Sequence, residues 1–429
     1  MHDHFKVVIY LVQAYILFSC LHVFVPVLIF FLRLKSIRRI YNYNQSHQLE
    51  PSTRFIILIP AHNEAPVMPA LLESVSAQNY PKHLVATVVI ADNCTDETAE
   101  ISRSLGFECA ERFTEAPSNK ALAMVFGAEY LRTHHALSDQ VVCIIDADCM
   151  LDPDYLQALN NMYAAPGAAG VIQSHRSVHN VFHSKVTILD AAAEALRQFV
   201  VSGSRKTLGM ENFIYGLGTS MRGYIFNELI AETKQSVVED KVWKVYFSNK
   251  RIPVDYCAAA QLRYEVVHSN KDFQKQRKRW IVGHLEILRR YGFHMLWQSI
   301  KRGNFSQFDF AWELLQPPRS FLFILTFIFG LGALWDSQSS LLPAFGWFFL
   351  TASFFLYGAL GMWLIKARPI QYMHLFSGLD MILGIFKTTF LSLLGKRAGG
   401  WDATRKKESQ KEVPVTDTPV HETETATTG

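Results

Sequence analysis

Val141-Val142-Cys143-Ile144-Ile145 is an unbroken apolar run, and it stops at Asp146-Ala147-Asp148. A run with no polar alternation reads as a strand covered on both faces, as in a parallel sheet between helices. Open sheets of that kind bind ligands beyond the C-terminal ends of their strands. Two carboxylates one residue apart at such an end are costly unless something positive fills the space. A hard divalent cation that bridges to a ligand's phosphates suits that place. Taken alone, the pair reads more plainly as turn or helix-capping aspartates, because D-x-D is a short pattern.

The flanking segments, from about Arg54 to Asn304, repeat the strand–helix alternation. Phe55 to Pro60 is a β-rich run ended by proline, and Pro66 to Gln78 has helical spacing. Leu84 to Ala91 predicts a second buried strand. Thr95 to Leu105 predicts a helix with Thr95 as N-cap and Asp96-Glu97 in its first turn. Asn119 to Arg132 predicts another helix. Alternation of this kind implies a parallel sheet with right-handed crossovers. No internal repeat is visible, and the Thr-, Glu- and Pro-rich last stretch, 407–429, reads as a disordered tail.

The ends of the chain carry the apolar excess: 49% of the 429 residues are hydrophobic and 31 are Phe, more than a purely soluble protein needs. Val7 to Leu32 is long enough to cross a ~30 Å hydrocarbon core. Arg33, Lys35, Arg38 and Arg39 follow it, which puts that flank in the cytoplasm. The run is too long for a signal peptide's apolar core, so residues 1–33 are expected to be a retained anchor. Phe321 to Trp335 and Leu342 to Ile365 are joined by a link without Lys or Arg, whereas Lys366 and Arg368 follow. That predicts a membrane hairpin over 319–366 with its turn outside. His374 to Leu394 contains Asp380 and Lys387 and precedes Lys396, Arg397, Arg405, Lys406 and Lys407. Segment 374–406 is therefore expected to include an amphipathic helix on the cytoplasmic surface. The formal net charge of +4 is too small to argue for a nucleic-acid partner; the cations cluster near membrane borders, where anionic lipid attracts them. Six scattered cysteines without a CxxC pair suggest free thiols.

The chain lacks a G-x-x-x-x-G-K-[ST] loop, and Gly216-Leu217-Gly218 does not follow a first strand, so P-loop and dinucleotide-fold chemistry are disfavoured. The strand ends instead carry acids and amides: His62-Asn63-Glu64, Asp92-Asn93 and Asp146/Asp148. Such groups hydrogen-bond a nucleobase edge and ribose hydroxyls. Each alone is a turn residue more often than a ligand. Three successive strands ending this way favour a nucleotide crevice. Glu239-Asp240 precedes a helical stretch and reads equally as a first-turn acid pair or as catalytic carboxylates. In Gln276-Arg277-Lys278-Arg279-Trp280, helical spacing puts Gln276, Arg279 and Trp280 on one face and points Arg277 and Lys278 elsewhere. That stripe suits a diphosphate and a sugar: guanidinium for phosphate, amide for a hydroxyl, indole as a stacking floor.

With these residues in place, the chain resembles the membrane-embedded members of glycosyltransferase family 2, such as cellulose, chitin, hyaluronan and poly-N-acetylglucosamine synthases. Pro60-Ala61-His62-Asn63-Glu64, Asp92 to Asp96, Asp146-Ala147-Asp148, Glu239-Asp240 and Gln276-x-x-Arg279-Trp280 occur in the family's order. The resemblance implies an α/β, GT-A (nucleotide-diphospho-sugar transferase) fold for a cytosolic domain, 54–304, flanked by transmembrane helices in the inner membrane. By it, Asn63, Glu64 and Asp92 would contact the nucleoside, with Lys120 and Asp146 near the nucleotide. Asp148 would hold Mg²⁺ or Mn²⁺. Asp240, beside Glu239, would be the general base. Gln276, Arg279 and Trp280 would form the acceptor and diphosphate site. Trp401, Thr404 and Arg405 resemble the family's gating loop. The implied reaction is inverting transfer from a nucleotide-sugar, a UDP-sugar, in polysaccharide synthesis. Transfer to a membrane lipid is the alternative, and an inactive membrane scaffold or transporter a second. A polymer channel would require more helices, a partner subunit or a homo-oligomer.

Overall fold

The computed structural model describes residues 2–42, 48–115, 119–233 and 239–393. An eight-stranded sheet organises the middle of the chain: β1 (Phe55–Ala61), β2 (Val85–Asp92), β3 (Glu108–Arg112), β4 (Val141–Ile144), β5 (Cys149–Leu151), β6 (Val171–Val178), β7 (Thr219–Arg222) and β8 (Val254–Tyr264). Their spatial order is β3-β2-β1-β4-β7-β6-β8-β5. β1 pairs in parallel with β2 and β4, and β2 with β3. The sheet is nonetheless mixed, correcting the all-parallel expectation: β7 runs antiparallel to β4 and β6, and β5 antiparallel to β8. The chain lays β2 and β3 on one side of β1 and then returns to place β4 on the other. The carboxyl ends of β1 and β4 therefore flank a switch point where the loops diverge.

Alternation of side chains across the pleat explains the uninterrupted apolar runs. Phe55, Ile57 and Ile59 face one layer with Leu71, Leu72, Tyr155 and Leu159. Ile56, Leu58, Val142 and Ile144 face the other, with Met124, Ala128, Phe226 and Trp243. Nine helices matter to the argument: α1 (His2–Leu32), α2 (Lys120–His134), α3 (Lys185–Ala195), α4 (Glu239–Lys250), α5 (Asn270–Ile287), α6 (Phe305–Leu315), α7 (Arg319–Trp335), α8 (Ala344–Leu364) and α9 (Leu379–Leu393). The helix expected from Thr95 begins at Thr98, and Asp96 rather than Thr95 accepts from the Thr98 N–H at 3.1 Å.

Lys6–Leu32, Ala344–Leu364 and Pro369–Ser392 are long and apolar enough to cross a membrane, judged by length and composition. α7, at 17 residues, qualifies only together with α6, from which it bends by 73°. Between α7 and α8 lies the link 336–343, and α1 is tied to it at one end: Gln13 Nε2 donates to Ser339 O at 3.1 Å and Leu341 N to Gln13 Oε1 at 2.7 Å. The link and the first half of α1 thus lie side by side. Outward-facing Leu11, Leu28, Phe345, Phe349 and Leu356 make the outer surface of these helices apolar.

Candidate active site

The loops after β1 and β2 are stitched together. Asn63 adopts a left-handed φ of 55°, which asparagine tolerates better than most residues. Its Oδ1 accepts from Thr95 N at 2.7 Å. Glu64 N donates to Thr98 Oγ1 at 2.9 Å and Ala65 N to Asp96 Oδ2 at 3.1 Å. Glu64, Thr95 and Asp96 line a large cavity at this point, together with Asn63. Asp92 does not line it. Its side chain is fully buried and ion-paired with Arg112 Nε at 2.7 Å, its cross-strand neighbour on β3. Its carboxylate ties the strand ends together, whereas the sequence reading places it at the nucleoside.

Behind the loops lies a charged network. Asn119 caps α2, its Oδ1 accepting from Ala121 N at 2.8 Å, and so aims Lys120 from the first helical position. Lys120 Nζ pairs with Asp146 at the end of β4 and lies 3.7 Å from Glu239 Oε1 at the start of α4. Burial opposes the Lys120 charge, but Asp146, Glu239 and Asp240 outweigh it and hold the ammonium above its ordinary range. Burial pushes the Glu239 carboxyl up, with Lys120 opposing and Asp240 adding to the rise. Asp240 follows on the cavity wall, backed by Gly216. That glycine has φ +79°, and a Cβ there would stand 3.1 Å from Asp240 Cβ.

From the opposite wall α5 contributes Gln276, Arg279 and Trp280, all lining the same cavity. Burial lowers the Arg279 guanidinium, while Glu239 and Asp146 act to raise it. Arg277, expected to point away, also lines the cavity. It pairs with Asp190 on α3 and stacks between Phe273 and Trp280, 4.7 Å from each ring centroid. The cavity wraps around more of the helix than one narrow stripe, so neighbours in sequence both reach it; Lys278 does not line it. Trp401, Thr404 and Arg405 lie outside the described residues.

Asp148 is half-buried on the cavity wall. Among the described residues no three His, Cys, Asp or Glu side chains gather where they could enclose a metal. With Asp146 paired to Lys120, the protein offers one carboxylate and room. Such a donor set fits Mg²⁺ or Mn²⁺ that takes its remaining ligands from phosphate oxygens and water. It does not fit a protein-caged metal.

The cavity's volume is about 2480 Å³. Besides the residues above, it is lined by Phe18, Leu21 and Val25 of α1, Phe323 of α7 and Phe354 of α8. Sequence reasoning missed Arg176, Glu194 and Arg197, a buried charge cluster on its wall. The available signal was charge placed inside otherwise apolar segments, the Gln173-Ser174-His175-Arg176 stretch of β6 being the clearest case.

The model of the family described as "Glycosyltransferase like family 2" matches residues 51–283. The chain belongs to this family. Its sheet and loops have the GT-A-like fold. The 4,4'-diaponeurosporenoate glycosyltransferase of Staphylococcus haemolyticus (strain JCSC1435) is 27% identical over 148 residues, 34% of this chain and 38% of the relative. Its counterpart in Staphylococcus aureus (strain MRSA252) is 31% identical over 144 residues, 30% of this chain and 35% of the relative. The chain thus matches little more than a third of the length of these curated relatives. Among solved structures, the mannosyltransferase PcManGT from Pyrobaculum calidifontis, in complex with GDP-Man and Mn²⁺, aligns with a TM-score of 0.52 at 14% identity. That alignment spans 90% of this chain and 99% of the other, a likeness of fold.

Proposed function

We propose that this glycosyltransferase moves a sugar, with inversion, from a UDP-sugar to a hydroxyl of an acceptor borne by the membrane. One observation carries the reading: a single cavity is lined both by Asp148, Asp240, Gln276 and Arg279 and by apolar side chains of α1, α7 and α8. Its volume of about 2480 Å³ exceeds the ~300–1,000 Å³ typical of one small-molecule site, leaving room for donor and acceptor together. The chain's domains are accordingly an anchor (1–33), a cytosolic transferase domain (54–304), a membrane hairpin (319–366) and a membrane-surface segment (374–406), in the inner membrane.

In this reading Glu64 and Asn63 form the nucleoside end, and Arg279 faces the departing diphosphate. A divalent cation held at Asp148 would neutralise diphosphate charge when bound. Asp240 accepts the proton of the attacking hydroxyl as its oxygen reaches the anomeric carbon from the face opposite the diphosphate. Lys120 offsets part of the negative charge of Asp146 and Glu239 beside Asp240. With Asp240 as the base for the attacking hydroxyl, one displacement suffices, and its outcome is inversion. Gln276 and Trp280 orient the acceptor, Trp280 by stacking.

A lipid-like acceptor draws support from the apolar lining and from relatives named for transfer to diaponeurosporenoate. Polysaccharide synthesis is the second reading, favoured by the Gln276-x-x-Arg279-Trp280 pattern. Asp240→Asn is expected to lower UDP release in the presence of acceptor by at least ~100-fold while UDP affinity is largely kept. Undiminished turnover in that variant would reject the base assignment.

A further inference from the structure

We propose that the cavity contains a second, oxyanion-binding subsite, built from Arg197, Arg319, Ser320 and Tyr357, that seats a phosphate or carboxylate carried on the apolar acceptor. This rests on the membrane-acceptor reading above and names the chemistry of the acceptor's polar end. All four residues line the cavity. Arg176 and Arg197 share one carboxylate: Arg176 Nη2 lies 2.7 Å from Glu194 Oε1, and Arg197 pairs with Glu194 Oε2. Gln198 Nε2 adds a 2.8 Å bond to Oε1. Two guanidiniums against one carboxylate leave a positive charge uncompensated. The neighbouring Asp190 is already taken by Arg277.

Arg319 adds a second cation. It makes no ion pair among the described residues, and its guanidinium carbon lies 5.0 Å from the Tyr357 ring centroid. It is also the first residue of α7, at the positive end of the helix dipole, where a cation is disfavoured unless an anion joins it. The first backbone bond of that helix is donated by Phe321 N to Pro318 O, at 2.7 Å, so the N–H groups of Arg319 and Ser320 precede the helical ladder.

Two orphaned hydroxyls point independently to a ligand. Tyr357 is only 7% exposed, yet its hydroxyl has no hydrogen-bond partner among the described residues. The buried Oγ of Ser320 has none either. Buried polar atoms are nearly always paired, and an oxyanion with several lone pairs would satisfy both.

Position ties the cluster to the reaction. Arg176 and Arg197 lie 4.8 and 5.5 Å from the Tyr215 ring centroid, and Arg176 Nη1 donates to Tyr215 O at 3.2 Å. The next residue is Gly216, which backs Asp240. The cationic group is thus one peptide step, ~3.8 Å of chain, from the support of the base. On its other side Phe24 meets Tyr357 with ring centroids 6.3 Å apart, so an apolar tail has a surface to follow.

The test uses the full chain in phosphatidylcholine nanodiscs and three probes: farnesyl phosphate, farnesol and inorganic phosphate. Farnesyl phosphate is expected to bind at least tenfold more tightly than either of the others. Arg319→Gln should weaken it about tenfold, and the nearly isosteric Tyr357→Phe at least threefold, with farnesol binding unchanged in both. Equal affinity for farnesol and farnesyl phosphate would overturn the proposal. So would inorganic phosphate binding as tightly as farnesyl phosphate, which would make the site one for a free anion. A folded Arg319→Gln protein that binds farnesyl phosphate like the wild type would also overturn it. Failure of the wild type to bind UDP would reject the donor reading, a result separate from farnesyl phosphate affinity.

Discussion

Lys120→Met tests the charged network beneath the base. The perturbation removes the cation that pairs with Asp146 and lies 3.7 Å from Glu239. At the 3.7 Å separation of Lys120 Nζ and Glu239 Oε1, and an effective dielectric of about 20, the Coulomb energy is about 4.5 kcal/mol. Desolvation of the lysine offsets part of this, so ~2–4 kcal/mol of support for the ionised Glu239 is lost. Burial already pushes Glu239 up and Lys120 holds it down; without the lysine it rises further. If catalysis needs the ionised carboxylate, the acid limb of the rate profile should move upward by ~1–3 pH units, at 1.36 kcal/mol per unit. The assay is kcat/KM for UDP release from pH 5 to 9 in wild type, Lys120→Met and Lys120→Arg. The arginine variant, which keeps the charge, should hold its limb near that of the wild type. A Lys120→Met profile of lower amplitude whose limb stays at the wild-type pH would refute the reasoning.

Two further outcomes follow from the same region. Gly216→Ala places a methyl against Asp240 at a φ of +79°. It should cost ~1–2 kcal/mol in stability and lower kcat about tenfold, with donor KM little changed; wild-type kinetics would show that Gly216 does not position the base. Glu194 is held down to about 2, below its ordinary 4.5: burial works against ionisation, but Arg176 and Arg197 outweigh it. A depressed carboxyl stabilises the fold fully above pH ~4.5 and loses that support as pH falls toward 2, about 3 kcal/mol in all. The apparent Tm of wild type should therefore fall more steeply than that of Glu194→Gln between pH 5 and 3. Parallel slopes would remove Glu194 from the account.

The parts legible in the sequence are those whose environment is uniform. β1 and β4 are buried along their whole length and so carry no polar residue to interrupt the pattern. β6 and β7 hide because their buried polar groups are satisfied internally: Gln173 Nε2 donates to Leu217 O at 2.9 Å, and its Oε1 accepts from Tyr215 N at 2.9 Å. Hydropathy cannot tell such a strand from a loop. The burial of Asp92 was hidden for a related reason. Its partner Arg112 stands twenty residues on and is brought opposite only by the β2–β3 register. Arg277 misled because helical spacing reports direction but not how far a cavity wraps the helix.

These misses share a cause that bears on function. Position along a strand or helix is a local property, so the donor groups at the ends of β1 and β4 can be read from sequence. The wall proposed here to face the acceptor is assembled from distant segments: α1, β6, the residues after α3, α7 and α8 meet only in the folded chain. Arg197 and Tyr357 are 160 positions apart in the chain, yet both line one wall. On the proposed reading, the loops after β1 and β4 can be kept while α7 and α8 remodel the facing wall, because these elements are far apart in sequence. Specificity for the acceptor should accordingly move with substitutions on α7 and α8, and donor specificity with those in the loops after β1 and β4.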